Sequence, residues 1–419
     1  MLSLIVTCEF RSGMYTYSCA RFMFHVATRT MSQLACRFCA GVDFVHVIDP
    51  LLDLRYRFDN KQQLRSMLKA RKIEVDVDDL EIKYKRWWKA YEEVCAHLSK
   101  EKRDPSLKRQ MLEESEGLLG ALRLPNDLAA ETPTQPSIPS LNSRSSGNSP
   151  KHMTFLRKAG MVKVDELTSS LHTVGLPTSL QNAIEKTILQ HFAPSTIFVS
   201  PPHMVRGAII EAVNMPLEVF ASFSDSIEGS STNYLTGHGL ISLLSVFTKT
   251  RFTRSSNKWP IRILSSGTSY RNNSLSDSRP NLYDTSQRKK IAVLSICLDK
   301  EEECNEYNSL TNDFGEVLME ILKCPVDKRL LAACELFNYE SSAINFTYGD
   351  DIEVGRIGRA GTYISNRLNI VVSNGKNTNK TEFVHLVYAE LDITRLVGVI
   401  IEEYLIGTKR VPDSIRRML

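Results

Sequence analysis

The feature that most constrains the fold is a run of apolar residues at helical spacing between residues 77 and 122. In its first part, apolar side chains follow one another at intervals of four and three: Leu80, Tyr84, Trp87, Tyr91, Val94 and Leu98. Such spacing keeps one apolar stripe turned toward a partner helix, as in a coiled coil. A second helical pattern begins at Asp104-Pro105, since proline suits the first turn of a helix. The sequence therefore predicts an antiparallel helical hairpin, or coiled-coil arm, whose first helix (residues 77–103) is about 40 Å long.

The faces of this hairpin that point away from the apolar stripe are rich in basic residues. They are Lys83, Lys85, Arg86, Lys89, Lys100, Lys102, Arg103, Lys108 and Arg109. Two interpretations remain open. The charges can simply solvate the outer face of the helices, since acidic residues such as Glu92 and Glu93 are interspersed among them. Alternatively, a protruding arm with a basic tip can contact the phosphates of RNA.

The composition excludes several classes of protein. Hydrophobic residues make up 42% of the 419 residues, which is enough for a sizeable core in two or three domains. No run of about 18 apolar residues is present, so we expect no membrane insertion. The net charge of +4 permits nucleic-acid binding without requiring it. Of the nine cysteines, five show neither metal-ligand spacing nor a paired framework, and we expect reduced thiols: Cys95, Cys297, Cys304, Cys324 and Cys334. Cys36-x-x-Cys39 has the spacing of a redox or zinc half-site, but no second pair lies near it in the sequence, which favours ordinary thiols.

The N-terminal segment has the composition of a mitochondrial transit peptide. Residues 1–42 contain four arginines, no lysine and a single acidic residue, Glu9. Cationic, acid-poor segments of this kind are typical of import into mitochondria. We therefore predict a transit peptide over residues 1–45, whose removal would take away the Cys36/Cys39 pair, and a location in the mitochondrial matrix. The alternative is translation from an internal methionine, namely Met14, Met23 or Met31.

The rest of the chain divides at a linker. We predict a helical arm over residues 46–126, a Pro/Ser-rich linker over 127–160 and a core over 161–419. In the core, helical patterns occur at 180–192, 240–247, 308–322 and 394–405, and short apolar strands at 196–199, 261–264, 290–298 and 368–373. Their irregular order favours an α+β fold around a mainly antiparallel sheet flanked by helices. The sequence has no phosphate-binding glycine loop and no His/Cys cluster.

The order of these features resembles the seryl-tRNA synthetase family of class II aminoacyl-tRNA synthetases. A short helix, a long helical hairpin and a Leu124-Pro125-Asn126 junction precede the core. Residues 269–272 resemble the second class II motif, 353–370 the active-site strands and 385–404 the third motif. Within the family, the chain is most similar to the seryl-tRNA synthetase-like mitochondrial proteins of insects. The resemblance implies a class II synthetase-like core, binding of serine tRNA by the arm, and dimerisation through residues 180–202.

Several positions depart from the family's pattern where the resemblance places the reactants. Leu240 stands where the family has the glutamate that binds the ammonium of serine, and leucine would leave that charge unpaired. Asn272 follows Arg271 in the second motif, where the family has an acid. Arg288 replaces the aromatic residue that stacks on adenine. Arg356 replaces the serine partner of the metal-binding glutamate, and its charge would repel Mg²⁺.

Three residues still match the family's nucleotide site. Arg271 and Arg395 match arginines that contact phosphate, and Glu353 matches the metal-binding glutamate. They are either a vestigial nucleotide site or ordinary internal ion pairs, and the altered positions around them favour ion pairs. Adenylate formation requires serine, adenine and metal to be held at once. The resemblance therefore implies a degenerate site without catalytic residues, cofactor or metal.

These observations lead to one hypothesis and one alternative. The hypothesis is a non-catalytic mitochondrial paralogue that binds tRNA, expected to be serine tRNA, through its arm. Such a paralogue would pair with itself or with the active mitochondrial seryl-tRNA synthetase and support mitochondrial translation. The alternative is an active mitochondrial serine–tRNA ligase with an unusual pocket.

Overall fold

The computed structural model describes residues 32–39, 48–98, 104–136, 150–223, 232–255, 258–272, 279–349, 351–373, 381–407 and 410–417. The α-helices in these ranges are α1 (Lys61–Ala70), α2 (Val77–Leu98), α3 (Pro105–Glu113), α4 (Ser115–Arg123), α5 (Lys151–Lys158), α6 (Leu176–Phe192), α7 (Gly207–Ala212), α8 (Leu240–Phe247), α9 (Lys300–Gly315), α10 (Tyr363–Leu368), α11 (Ile393–Ile400) and α12 (Asp413–Arg416). Helices α9 and α11 continue as π-helix over Glu316–Ile321 and Ile401–Ile406.

The strands are short at the N-terminal side of the core and long toward its centre. They are β1 (Val162–Asp165), β2 (Ser170–Thr173), β3 (Ile197–Phe198), β4 (Met204–Arg206), β5 (Ala221–Phe223), β6 (Asn233–Leu235), β7 (Arg251–Thr253), β8 (Ile261–Tyr270), β9 (Gln287–Cys297), β10 (Asp327–Leu330), β11 (Ser342–Tyr348), β12 (Ile352–Gly361), β13 (Val371–Ser373), β14 (Thr381–Phe383) and β15 (His385–Asp392).

The predicted helical hairpin is confirmed. Tyr84 and Trp87 of α2 are fully buried and share one apolar cluster with residues of α3 and α4. The side chain of Asp104 accepts a hydrogen bond from the backbone N–H of Ser106 and so caps α3, as proline at its first turn suggested. The second half of the hairpin breaks at Glu114 into two helices, which the sequence pattern did not predict. The 22 residues of α2 extend about 33 Å, and residues 99–103 lie outside the described residues.

The Leu-Pro-Asn junction docks the arm on the core. The Asn126 side-chain amide donates to the carbonyl oxygens of Tyr339 (3.0 Å) and Ala360 (2.9 Å). At the base of the arm, the guanidinium of Arg71 is 3% exposed and donates to the carbonyls of Asn126 and Glu340. Burial lowers the pKa of Arg71 to about 10. The arm is therefore joined to the core through buried backbone hydrogen bonds, which a surface contact would not provide.

A seven-stranded sheet forms the centre of the core, in the order β10-β11-β12-β15-β9-β8-β3. Every neighbouring pair is antiparallel except β3 and β8. The predicted α+β class with a mainly antiparallel sheet is thus confirmed. One face packs on α6, α9 and α11. The opposite face, here called the site face, packs on α7, α8 and α10.

Folded structure is found within two of the predicted segments. The linker predicted over 127–160 is partly folded, because Ala129 and Thr132 bond to the carbonyl of Ser341 and α5 buries Met153 and Leu156. Within that linker, residues 137–149 lie outside the described residues. Residues 32–39 fall inside the predicted transit peptide, yet they pack against both the arm and the core.

Candidate functional site

Alternation along the central strands places the altered positions on the site face. On β9, Ile291 and Val293 point to the helical side, whereas Ala292 and Leu294 point to the site face. Because side chains alternate along a strand, Arg288 and Lys290 share the site face with Ala292. The site face therefore carries a row of cations where the family's pattern leads us to expect an adenine-stacking aromatic residue and acids.

Lys290 is neutralised by Glu390 of the neighbouring strand β15. The Lys290 ammonium lies 2.8 Å from Glu390 Oε2, and Glu390 Oε1 accepts a 2.8 Å hydrogen bond from the backbone N–H of Leu240. Burial alone would raise the pKa of Glu390, but the charge and hydrogen bond of Lys290, the N–H of Leu240 and the charge of Arg271 together lower the pKa. At the start of α8, where the family's pattern has a glutamate side chain, Glu390 thus supplies a carboxylate that already has two partners.

Arg288 is also held by internal carboxylates. Its guanidinium is 7% exposed and lies 3.0 Å from Asp284 and 3.5 Å from Asp392. Its Nε donates to the carbonyl of Thr285. Burial, together with the charge of the nearby Arg395, lowers the pKa of Arg288. The position predicted to have lost the adenine stack is therefore a buried, paired cation.

Arg356 forms the most enclosed ion pair of the site face. Its Nε donates to Glu340 Oε1 at 2.7 Å, a second nitrogen donates to Glu340 Oε2, and its guanidinium stacks over the ring of Phe337 at 4.0 Å. The Tyr388 hydroxyl donates to the same carboxylate, whose exposure is 0%. Burial alone would lower the pKa of Arg356, but the charge and hydrogen bonds of Glu340, together with Tyr388 and Glu353, raise the pKa well above its usual value.

The residues that match the family's nucleotide site are mostly engaged within the chain. The Glu353 carboxylate accepts from the Asn345 amide at 2.6 Å and lies 3.3 Å from Arg356. Arg395 donates to the carbonyls of Tyr283 and Glu353. Glu353 and Arg395 thus make contacts within the chain. Arg271 and Asn272 are exposed directly after β8, next to residues 273–278, which lie outside the described residues.

These contacts do not suit a divalent cation. One oxygen of Glu353 is taken by an amide and a guanidinium, and Arg356 brings positive charge to its side. In the described part of the chain, no group of three or more His, Cys, Asp or Glu residues is arranged to hold a metal ion. The residues present therefore do not fit Mg²⁺.

Sequence reasoning missed a pair of imidazoles beside this row of cations. His203 and His238 lie with their Nε2 atoms 3.2 Å apart, and the His238 ring lies against the backbone of Gly267. His238 is 9% exposed, and its Nδ1 has no partner among the described atoms. Burial, followed by the influence of His203 and Lys289, lowers the pKa of His238. The two histidines are 35 residues apart in the chain, so no local pattern pointed to the pair.

The arm presents fewer available cations than the sequence suggested. Among the nine predicted residues, Lys100, Lys102 and Arg103 lie outside the described residues. Three others form ion pairs within the arm: Lys83 with Asp79 and Glu116, Lys85 with Glu81, and Arg109 with Glu113. Arg86, Lys89 and Lys108 are exposed. Among the described residues of these nine, the last three are the cations for which the structure shows no ion pair.

An apolar patch lies at the open edge of the central sheet. Strand β3 is the last strand on this side, and its Ile197 and Phe198 are 59% and 52% exposed. A cavity of about 350 Å³ beside it is lined by α6 residues that include Glu185, Lys186 and Leu189. This patch lies within residues 180–202, the region predicted to mediate dimerisation. No helix in the described ranges is both long and apolar enough to span a bilayer.

Comparisons with known proteins agree with this architecture. The profile of the tRNA synthetase class II core domain (G, H, P, S and T) matches residues 227–404. A comparison with curated protein sequences gives no significant match.

Solved structures give matches over most of the chain. The cytoplasmic serine–tRNA ligase of Naegleria fowleri in complex with AMP aligns with a TM-score of 0.68 and 14% identity, covering 88% of this chain and 96% of that one. The seryl-tRNA synthetase of Pyrococcus horikoshii complexed with ATP aligns with a TM-score of 0.69 and 16% identity, covering 88% and 98%.

A third match covers less of the chain. The prolyl-tRNA synthetase of Giardia lamblia in complex with prolyl-adenylate has a TM-score of 0.55 and 12% identity, covering 63% of this chain and 54% of that one. The two longer alignments include the arm as well as the core, because each spans 88% of the chain. The chain therefore contains a class II aminoacyl-tRNA synthetase core and has the overall fold of the seryl-tRNA synthetases.

Proposed function

We propose that this chain is a non-catalytic seryl-tRNA synthetase paralogue of mitochondria, of the kind its sequence resembles in insects. It binds tRNA, serine tRNA in the first instance, through the helical arm, and acts as a dimeric partner in mitochondrial translation. The observation that carries the loss of catalysis is the internal pairing on the site face. Arg288, Lys290 and Arg356 each bind a carboxylate of the same chain.

Internal pairing opposes substrate binding for a simple energetic reason. A nucleotide or an amino acid that entered this face would have to displace carboxylates that already satisfy the buried cations. Separating one partner from a buried ion pair costs about 3–5 kcal/mol. Three such pairs lie side by side, and Leu240 offers no charge to the ammonium of serine. The arrangement thus favours internal ion pairs over binding of a nucleotide or an amino acid at this face.

The first experiment tests catalysis directly. Purified protein is assayed for serine-dependent ATP–pyrophosphate exchange, and ATP binding is measured by calorimetry with and without Mg²⁺ and serine. An active seryl-tRNA synthetase in the same buffer is the positive control. We expect no exchange and no Mg²⁺-dependent ATP binding. Formation of seryl-adenylate would overturn the proposal in favour of an active mitochondrial serine–tRNA ligase.

The proposal that the arm binds tRNA rests on its shape and on its exposed cations. An arm about 33 Å long with cations on its outer face suits a polyanion whose phosphates are spread over a comparable distance. Arg86 and Lys89 are three residues apart and share one face of α2, while Lys108 lies on α3. Two of the matched structures are serine–tRNA ligases, which makes serine tRNA the first RNA to test.

A charge-reversal experiment separates specific arm contacts from general attraction. The variant R86E/K89E/K108E is compared with K158E/K163E/K328E, which alters three exposed lysines of the core by the same charge. We expect the arm variant to weaken serine-tRNA binding at least tenfold and to lower the salt dependence by about one unit per lost phosphate contact. Equal weakening in both variants would show that the arm does not carry the binding.

The apolar patch at β3 supports the proposed dimer. The exposed Lys186 lines the same cavity as Leu189 and Phe198, so the surface offers a cation beside apolar side chains. A surface of this kind can meet a second copy of itself around a two-fold axis. We expect a dimer in sedimentation velocity and a monomer for Phe198→Glu. Co-expression with the active mitochondrial enzyme tests the heterodimer, and a wild-type protein that stays monomeric in both settings contradicts this part of the proposal.

A further inference from the structure

We propose that residues 32–39, here called the strap, belong to the mature protein, so that any proteolytic removal of an N-terminal leader ends before Ser32. The strap lies within the segment whose composition resembles a transit peptide. Its contacts, however, are those of a folded element. The main test, limited trypsin digestion, does not depend on what the arm binds.

The strap is held by one carboxylate of α7. The Ser32 hydroxyl donates to Glu211 Oε2 at 2.7 Å, and the backbone N–H groups of Gln33 and Leu34 donate to Glu211 at 3.0 and 2.8 Å. The Ser32 hydroxyl also accepts from the backbone N–H of Ala35 at 3.2 Å. Three donors from three consecutive residues therefore converge on the two oxygens of Glu211. Proteolysis beyond residue 34 would remove all three.

The apolar side chains of the strap belong to two different cores. Leu34 is 3% exposed and packs with the residues on the site face of the sheet. Ala35 and Cys39 are buried in the cluster that fills the arm. Phe38 lies edge-on to the rings of Trp87 and Tyr91, at centroid distances of 6.5 and 5.9 Å. The strap thus spans the junction of arm and core and packs on both sides.

The strap also fits the backbone beneath it closely. A β-carbon at Gly207, the first residue of α7, would lie 2.6 Å from the side-chain amide of Gln33. The absence of a side chain at position 207 therefore creates the space that Gln33 occupies. Cleavage at residue 45 would leave this space empty, deprive Glu211 of its partners and expose the arm cluster. A leader of at most 31 residues keeps every one of these contacts.

Limited trypsin digestion of the full chain tests the strap without truncation. The Arg37 side chain is 58% exposed and its ion pair with Asp49 lies at the surface, so trypsin can reach the side chain. The backbone around Arg37 is held by the buried residues on either side of it. We expect the resistant fragment to begin before Ser32, with the bond between Arg37 and Phe38 intact. Rapid cleavage of that bond without a change in melting temperature would overturn the proposal.

A matched pair of variants links protection to Glu211. Glu211→Gln removes the charge that three donors share, whereas Glu218→Gln removes an exposed carboxylate that the strap does not contact. We expect cleavage after Arg37 to be at least tenfold faster in Glu211→Gln and unchanged in Glu218→Gln. Equal rates in Glu211→Gln and wild type would contradict the role of this carboxylate in holding the strap.

The intact mass of the protein isolated from mitochondria gives an independent reading, even if Glu211→Gln fails to fold. This measurement rests on the proposed location, and we expect a mature chain that begins at or before Ser32. A mature chain that begins after Ser32 would overturn the inference. An unprocessed chain found only in the cytosol would contradict the mitochondrial location. In that case the trypsin digestion decides whether the strap is held in the folded protein.

Discussion

Glu340 and Arg356 form a two-point ion pair inside the core, with Arg356 Nε 2.7 Å from Glu340 Oε1 and Arg356 Nη2 2.5 Å from Glu340 Oε2. Both side chains are nearly inaccessible to solvent. The resemblance placed a serine partner of a metal-binding glutamate at position 356. In this chain the position has instead become part of a buried network that includes Tyr388. The substitution therefore has a structural role of its own.

Breaking this pair should destabilise the protein without restoring activity. We expect Arg356→Ser, which recreates the family's residue, to lower the free energy of unfolding by about 3–5 kcal/mol, because it leaves the Glu340 carboxylate buried and unpaired. The double variant with Glu340→Leu should lose less than the sum of the two single variants. Urea unfolding measures the energies. Strict additivity of the two single variants would argue against the pair, and serine-dependent exchange by Arg356→Ser would revive the ligase alternative.

The Glu390 carboxylate should contribute more to the free energy of unfolding than an exposed carboxylate does. Glu390→Gln weakens the bonds to Lys290 and to the N–H of Leu240, each of which involves a charged group. We expect a loss of about 1.5–3 kcal/mol in urea unfolding. Glu382→Gln, an exposed carboxylate on β14, is the control and should change stability by less than about 0.5 kcal/mol. Similar losses in both variants would mean that Glu390 has no special role.

The stability of the protein should fall in mild acid because of His238. The folded chain lowers the pKa of His238, by burial first and then by His203 and Lys289, while Glu185 acts in the opposite direction. The unfolded chain therefore binds more protons once the pH falls below about 6.5, and the folded state loses stability as the pH falls further. The slope contributed by one histidine is at most about 1.4 kcal/mol per pH unit.

Urea midpoints between pH 7.5 and 5.5 measure this dependence. We expect His238→Asn to flatten the slope relative to wild type, while His172→Asn, which replaces an exposed histidine, keeps it. If the slopes of wild type and His238→Asn coincide, another group governs the loss of stability in this range.

The crossing of α4 over α2 should tolerate no added methyl group. A β-carbon at Gly117 would lie 2.3 Å from the backbone of Lys83. We expect Gly117→Ala to force the helices apart at a cost of about 1–3 kcal/mol. The control is Gly315→Ala, because a β-carbon on this helical residue would have no other atom within 4 Å. That variant should be neutral or stabilising by up to about 1 kcal/mol.

Calorimetric melting temperatures compare the two glycine variants. The arm variant should melt earlier and the control should not. A stable Gly117→Ala would show that the two helices of the arm can separate at this crossing without loss.

Helices whose bounds follow from the local pattern of residues could be predicted from the sequence. Helix α8 has the predicted bounds. The apolar spacing predicted the hairpin because a helix brings residues three and four apart onto one face. The break at Glu114 could not be predicted in this way, since both sides of it follow the same apolar pattern. The order of the strands in the sheet could not be predicted either, because each pairing depends on residues distant in the chain.

Only part of the candidate site could be predicted from the sequence. The unusual residues Leu240, Arg288 and Arg356 were visible in the sequence, but their partners were not. Glu340 is 16 residues from Arg356, and Glu390 is 150 residues from Leu240, so the folded chain alone brings them together. The predicted repulsion of Mg²⁺ by Arg356 is therefore too simple a reason. Its charge is shared with Glu340, and one oxygen of Glu353 already accepts hydrogen bonds from Asn345 and from Arg356 itself.

The hydrogen bonds of Arg71 have a consequence for how the arm joins the core. This arm residue donates to the carbonyl of Glu340, whose side chain clamps Arg356, and also to the carbonyl of Asn126 in the junction. Removing the Arg71 guanidinium would therefore take away, in one step, a contact that docks the base of the arm and a backbone contact of the residue that holds Arg356.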